Sequence, residues 1–290
     1  MGVDRAGRLP AVDEEFDLLL SSAPDPPRPW VGCGLDGMNA TLTALRNAVR
    51  ARPLAASALA QVLRAGCRLP FTEALSVESF AYSTLLGGAE FREWRRAHPA
   101  RPLENDSRER VHYSRRGDTA RVRLTNPSRH NAVDARMRDE LCEVLRTVLD
   151  DAGTQRLEIS GAGRAFSVGG ELDEFATASD LATAHAIRTL RSPTFLLHRL
   201  RGRSVVFVHG ACIGSGVEIA AAAGRIVAQR ASWFSLPEVR MGLIPGAGGT
   251  VSLPARIGRH RTLYWALSNR KLNAATALTW GLIDEIGSPS

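Results

Sequence analysis

Two glutamates, Glu218 and Glu238, each beside a glycine-rich turn, are the side chains of this sequence best placed to move protons. Glycine is concentrated in three segments, GAGRAFSVGG (161–170), HGACIGSGVE (209–218) and GLIPGAGGT (242–250). None completes a GxGxxG fingerprint, none precedes Gly-Lys-Ser/Thr, and Gly214-Ser215-Gly216 is not a G-x-S-x-G elbow, so dinucleotide, P-loop and serine-hydrolase chemistries fall away. Where a strand ends in glycine and feeds a helix, the first helical N–H groups are unpaired and suit an oxygen gaining negative charge. Two such turns facing each other make an oxyanion hole, with the backbone N–H groups of Gly170 and Ser215 as donors. Glu218 falls in the first turn of the helix that opens at Gly214, and Glu238 follows Pro237 in the apolar run WFSLPEVRMG. Apolar surroundings raise a carboxyl group's proton affinity toward the range useful for acid/base work at neutral pH. Taken singly, the same residues also suit plainer roles: glycines in tight turns, Glu218 as a helix N-terminal carboxylate, Glu238 as an exposed loop charge.

The elements that must position these residues read as an α/β layer fold. Val111, Tyr113, Ala120, Val122 and Leu124 fall on alternate positions and predict a hairpin turning at Gly117-Asp118. Asp134 caps a helix with an apolar stripe of Met137, Leu141, Val144, Leu145, Val148 and Leu149. QRLEIS, SVVFVHG and RIVAQ are further short strands followed by glycine-rich turns and helical stretches. Upstream, residues 1–35 hold few periodic apolar positions, and PDPPRPW predicts an extended arm. Residues 36–96 turn helical, with Leu42, Leu45 and Val49, then Leu54, Leu59, Val62 and Leu63, then a third helix capped by Thr72 and stopped at Gly87-Gly88. Residues 97–110 form a linker, and 111–290 form the core.

At 290 residues and 44% hydrophobic content the chain can bury a large core without disulfides or metal. Cys33, Cys67, Cys142 and Cys212 are scattered, with no C-x-x-C pair and no zinc spacing, which predicts free thiols and a cytoplasmic setting. The N-terminus lacks a signal pattern and the most apolar stretch carries His209, Glu218 and Arg225, so no membrane span is expected. The net charge of +7 calls for an anionic partner, which a nucleotide-bearing thioester supplies as well as nucleic acid does. The basic residues, all arginine except Lys271, are spread over the whole chain, which argues against a dedicated nucleic-acid site.

FSVGGELDEF (166–175), HGACIGSGVEIA (209–220) and FSLPEVRMGLIPGAGGT (234–250) resemble the enoyl-CoA hydratase/isomerase, or crotonase, superfamily. NPSRHNAVD (126–134) and LSNRKLNAATALTWGLIDEI (267–286) extend the resemblance over 111–286. It implies a crotonase-type spiral of ββα units carrying an all-helical N-terminal segment. It implies that Gly170 and Ser215 supply the oxyanion N–H groups, Ser215 standing where hydratases usually have glycine, and that Glu218 and Glu238 match both hydratase glutamates. Gly246 matches the turn over the reacting water, while Arg129, His130 and Leu172 fall where the family holds CoA. The substrate implied is an acyl-CoA or acyl-carrier-protein thioester, with no separate cofactor or metal, and the assembly a homotrimer or a dimer of trimers. Trp233, Phe234, Phe175 and Cys212 are candidates for the acyl pocket or for the core. Residues 52–94 resemble the helical segment that in the family follows a phrase such as GLIDEI, here at 281–286 near the end of the chain, which points to a circular permutation. Isomerase, decarboxylase, thioester hydrolase and cofactor-independent oxygenase reactions share the oxyanion hole, and an RNA-binding or non-catalytic relative is a further alternative.

Overall fold

Leu19, Leu20 and Val31, each at most 1% exposed, fold the start of the chain into a small parallel sheet of β1 (Gly2–Asp4), β2 (Leu19–Ser21) and β3 (Val31–Gly32). The structure, a computed structural model, describes residues 1–11, 16–34, 36–102, 107–175, 177–178 and 180–288. The sheet replaces the extended arm expected for 1–35, and the segment before the core is therefore not all helical. Strands of two or three residues are too short to display an alternating pattern, which is why the sequence did not announce them. Buried Asp4 holds the sheet's edge by accepting from the N–H groups of Ala6 and Leu9 and from Ser21 Oγ.

Four helices follow: α1 (Met38–Ala51), α2 (Pro53–Gly66), α3 (Phe71–Leu86) and α4 (Ala89–Ala97). α3 starts one residue before the expected cap, behind Pro70 and without a side-chain cap, so Thr72 lies inside the first turn. The free N–H groups at the start of α2 are capped from elsewhere: Glu90 of α4 accepts from Leu54 and Ala55 at 2.7 and 3.0 Å. Part of the expected linker, 103–106, lies outside the described residues, as do 12–15 and 35 of the expected arm.

The remaining elements are β4 (Val111–Arg116), β5 (Thr119–Leu124), α5 (Ala135–Asp150), β6 (Arg156–Gly161), α6 (Leu181–Leu190), α7 (Pro193–Arg199), β7 (Ser204–Val208), β8 (Ala211–Ile213), α8 (Ser215–Ala220), β9 (Arg225–Ala228), β10 (Trp233–Ser235), α9 (Gly249–Ile257), α10 (Arg259–Ser268), β11 (Leu272–Asn273), α11 (Ala274–Trp280) and β12 (Glu285–Ile286). The hairpin β4–β5 forms one edge of a six-stranded sheet ordered β12-β9-β7-β6-β5-β4, parallel except for that hairpin. A smaller sheet, β11-β10-β8, lies beside it with β10 parallel to β8. Asp134 caps α5, its Oδ1 accepting from Met137 N–H at 2.7 Å. Among the described residues no helix is long and apolar enough to cross a membrane.

Leu59, Leu63 and Phe91 of the N-terminal helices belong to the same buried cluster as Leu141, Leu253 and Trp265 of the α/β part. α2 packs on α9 and α10, and α3 packs on α6 and α9. Phe91, 1% exposed, sits where α4 crosses the turn ending at Gly242. Phe91→Ala is expected to destabilise the protein by about 3–5 kcal/mol and to shift a single denaturant transition. A separate early transition for the helices would show that they do not share the core's cooperativity.

Candidate active site

At the end of β8 the chain reverses through Gly214, at φ 50° and ψ −125°, a conformation closed to side chains with a Cβ. This turn launches α8 and puts Ser215 at its first position and Glu218 one turn in. Glu218 is 2% exposed, and its Oε2 accepts from the N–H groups of Ala247 (2.7 Å) and Gly249 (2.9 Å). Glu238 opens the 3₁₀ turn after β10, 8% exposed, with Oε1 against Gly214 Cα where a Cβ would collide. Two buried side-chain atoms among the described residues have no hydrogen-bond partner, and both are here: Glu238 Oε2 and Ser215 Oγ. A buried polar atom left unpaired costs on the order of 1–3 kcal/mol, so this is a place where the fold is not optimised for its own stability.

Gly170 reaches the same site from the other side, held by a bridge to Val133 and covered by the Phe175 ring. Among the described residues, the N–H groups of Gly170 and Ser215 enter none of the turn and loop hydrogen bonds that tie the surrounding backbone together. Gly170, Ser215, Glu218, Glu238 and Gly246 all line one cavity of about 490 Å³.

The cavity has further buried carboxylates that the sequence pattern did not single out, Glu171, which is held by Arg129, and Glu78. Glu78 of α3, 2% exposed, accepts from the N–H groups of Gly248 (2.7 Å) and Thr250 (2.8 Å) and from Thr250 Oγ1 (2.7 Å). One turn along, the Tyr82 ring packs against Gly246, leaving no room for a side chain there. The signal was present in the sequence: Leu75, Glu78, Tyr82 and Leu85 share one helical face, and a carboxylate in the middle of an apolar stripe needs a buried partner.

Burial dominates the protonation of Glu78, Glu218 and Glu238. It lifts Glu78 to about 7 against the pull of its three donors, and lifts Glu238 to about 8. Glu218 is raised well above the ordinary carboxylate range by burial and then by the charges of Glu238 and Glu78. Three acids this close cannot all be ionised. Glu218 Oε2 accepts two N–H groups, which favour its charged form against burial, whereas Glu238 Oε2 accepts none.

The residues expected to hold CoA lie away from the cavity wall. Arg129 is clamped by Glu171 (2.9 and 2.6 Å) and Asp173 (2.6 Å), pairs that raise its proton affinity and leave it ordering the 171–174 turn. His130 takes a left-handed conformation at φ 51°, and Leu172 is 46% exposed. Of the four acyl-pocket candidates Phe175 lines the cavity, Phe234 and Cys212 are core, and Trp233 carries the Lys271 ammonium 4.2 Å over its ring.

The enoyl-CoA hydratase/isomerase family model matches residues 115–289. The chain is 35% identical over 162 residues to the fatty acid oxidation complex subunit alpha of Shewanella loihica, covering 54% of this chain and 23% of that protein. It is 30% identical over 179 residues to carnitinyl-CoA dehydratase of Proteus mirabilis, covering 61% of this chain and 68% of the relative. Against the solved structure of enoyl-CoA hydratase from Thermoplasma volcanium GSS1 the TM-score is 0.58 at 30% identity, over 63% of this chain and 73% of that one. The chain thus spans less than a quarter of the Shewanella protein's length, and the family-model match includes Gly170, Ser215, Glu218 and Glu238. The protein belongs to the enoyl-CoA hydratase/isomerase family.

Proposed function

We propose that the chain is an enoyl-thioester hydratase/dehydratase that adds water across the double bond of a 2-enoyl-CoA, or removes it. One observation carries the reading: two unengaged backbone N–H groups and two buried carboxylates, one with an unpartnered oxygen, meet in a single cavity. The thioester carbonyl oxygen sits between the N–H groups of Gly170 and Ser215, which stabilise enolate charge as it develops, a contribution of about 3 kcal/mol per donor. Glu218 orients water and takes its proton as the oxygen adds to C3. Glu238 delivers its proton to C2, and the reverse sequence is dehydration. Hydration is redox-neutral, so the scheme needs water and two protonatable groups and no electron carrier.

The helices over the cavity carry a second proposal, that the family's closing helical segment has been moved in front of the core by circular permutation. Its support is that α3 and α4 pack on the 238–250 region through Glu78, Tyr82 and Phe91 while preceding it by more than 140 residues, Gly248 and Glu78 being 170 apart.

Three outcomes test these readings. Glu218→Gln and Glu238→Gln are each expected to lower kcat for hydration of short enoyl-CoA esters by about 10²–10⁴, and an unimpaired double variant would end the proposal. The raised acids bind protons more tightly in the folded state, so their contribution to stability is present below the ordinary value of 4.5 and is lost as pH rises through about 8. Denaturant titrations at pH 5 and pH 8.5 should therefore give lower stability at the higher pH, and a smaller drop in Glu238→Gln. Finally, a chain opened between residues 102 and 107, with residue 288 joined to residue 1 by about 20 residues of Gly/Ser, should fold and hydrate enoyl-CoA. An unfolded product would count against the permutation and leave the chemistry standing.

A further inference from the structure

Three arginines reach the cavity wall, and they are not equivalent. Arg138 and Arg191 both pair with Asp139, each at 2.8 Å. Arg188 of α6 has no carboxylate partner among the described residues. Instead its Nε donates to Ser79 Oγ (3.1 Å), and one terminal nitrogen donates to Ser79 O (3.4 Å) and to Ser83 Oγ. The guanidinium carbon sits 4.8 Å over the Tyr82 ring. The other terminal nitrogen donates to no group among the described residues.

Arg188 is half-buried, and Leu75, Leu86, Ala184 and Ile187 line the same cavity. Glu78 lies near enough to act on its charge, but no glutamate of the site accepts a hydrogen bond from it. Both oxygens of Glu78 are held by Gly248 and Thr250, and Glu218 Oε2 is held by Ala247 and Gly249. A partly desolvated guanidinium keeps its charge and requires an acceptor, and one held by two serines and an aromatic face presents its remaining terminal nitrogen in a fixed position to an anionic group such as a carboxylate. Fixing it in advance lowers the ordering cost of binding.

We propose that Arg188 recognises a carboxylate on the acyl chain, so that the substrate class is a dicarboxylic acyl thioester whose far end carries a free acid. The proposal rests on the thioester reading above and deepens it. A purely hydrocarbon chain leaves the free N–H groups of Arg188 without an acceptor.

Binding of saturated, non-reacting thioesters separates the two layers of argument. Calorimetry compares succinyl-, glutaryl- and adipyl-CoA with butyryl-, pentanoyl- and hexanoyl-CoA, matched for acyl length. At least one carboxylate-bearing member is expected to bind the wild-type protein about 10- to 100-fold more tightly than its matched partner. Arg188→Gln should bring that ratio to within about twofold of one, and Arg188→Lys should keep part of it, the charge remaining without the fork. Wild-type ratios at or below one for all three pairs overturn the Arg188 proposal whatever the variants do, and so does a preference that survives Arg188→Gln. If no thioester of either series binds, the thioester reading fails and takes this inference with it.

Discussion

Four successive backbone N–H groups, from Ala247 to Thr250, are shared alternately between two carboxylates that lie far apart in the chain. Those of Ala247 and Gly249 go to Glu218, and those of Gly248 and Thr250 go to Glu78. The N-terminus of α9 carries donors with no partner inside the helix and a positive end of the helix dipole. Here that end is satisfied by the acid proposed to handle water and by an acid on a helix encoded before the core. Gly248, at φ 102°, lets consecutive amides point to opposite sides. Withdrawing either carboxylate would strand two buried donors and release the turn that the other needs.

Much of this was legible before any coordinates. Glu218 and Glu238 stand out because glycine turns and an apolar context flank each of them, and local pattern is what a sequence displays best. The main-sheet hairpin and the Asp134 cap were equally readable, since alternation and capping act over a few residues. The partners of Glu78 were hidden for the opposite reason: they lie 170 and 172 residues away, and only the packing of α3 against α9 brings them to it. Arg188 is less visible still, because its meaning depends on its making no salt bridge among the described residues rather than on any motif. The first sheet escaped notice because its strands, two or three residues each, take their order from burial of Leu19, Leu20 and Val31 and not from period.

The electrostatic design follows from crowding. Glu78, Glu218 and Glu238 buried in one cavity hold fewer than three charges, so protons remain on some of them at neutral pH, and backbone amides favour charge where they donate. Backbone donors suit this task because they do not titrate and are fixed by the fold. Arg129 itself does not line the cavity, and its charge is met by Glu171 and Asp173.

Gly246, packed against the Tyr82 ring, has a consequence for how such a protein can change. A side chain at that position would strike an aromatic ring on a different helix, so neither residue can be replaced without regard to the other. Drift at one site must wait for drift at the other, and the helical segment is then inherited with the core as a matched set, poorly suited to exchange with that of a relative.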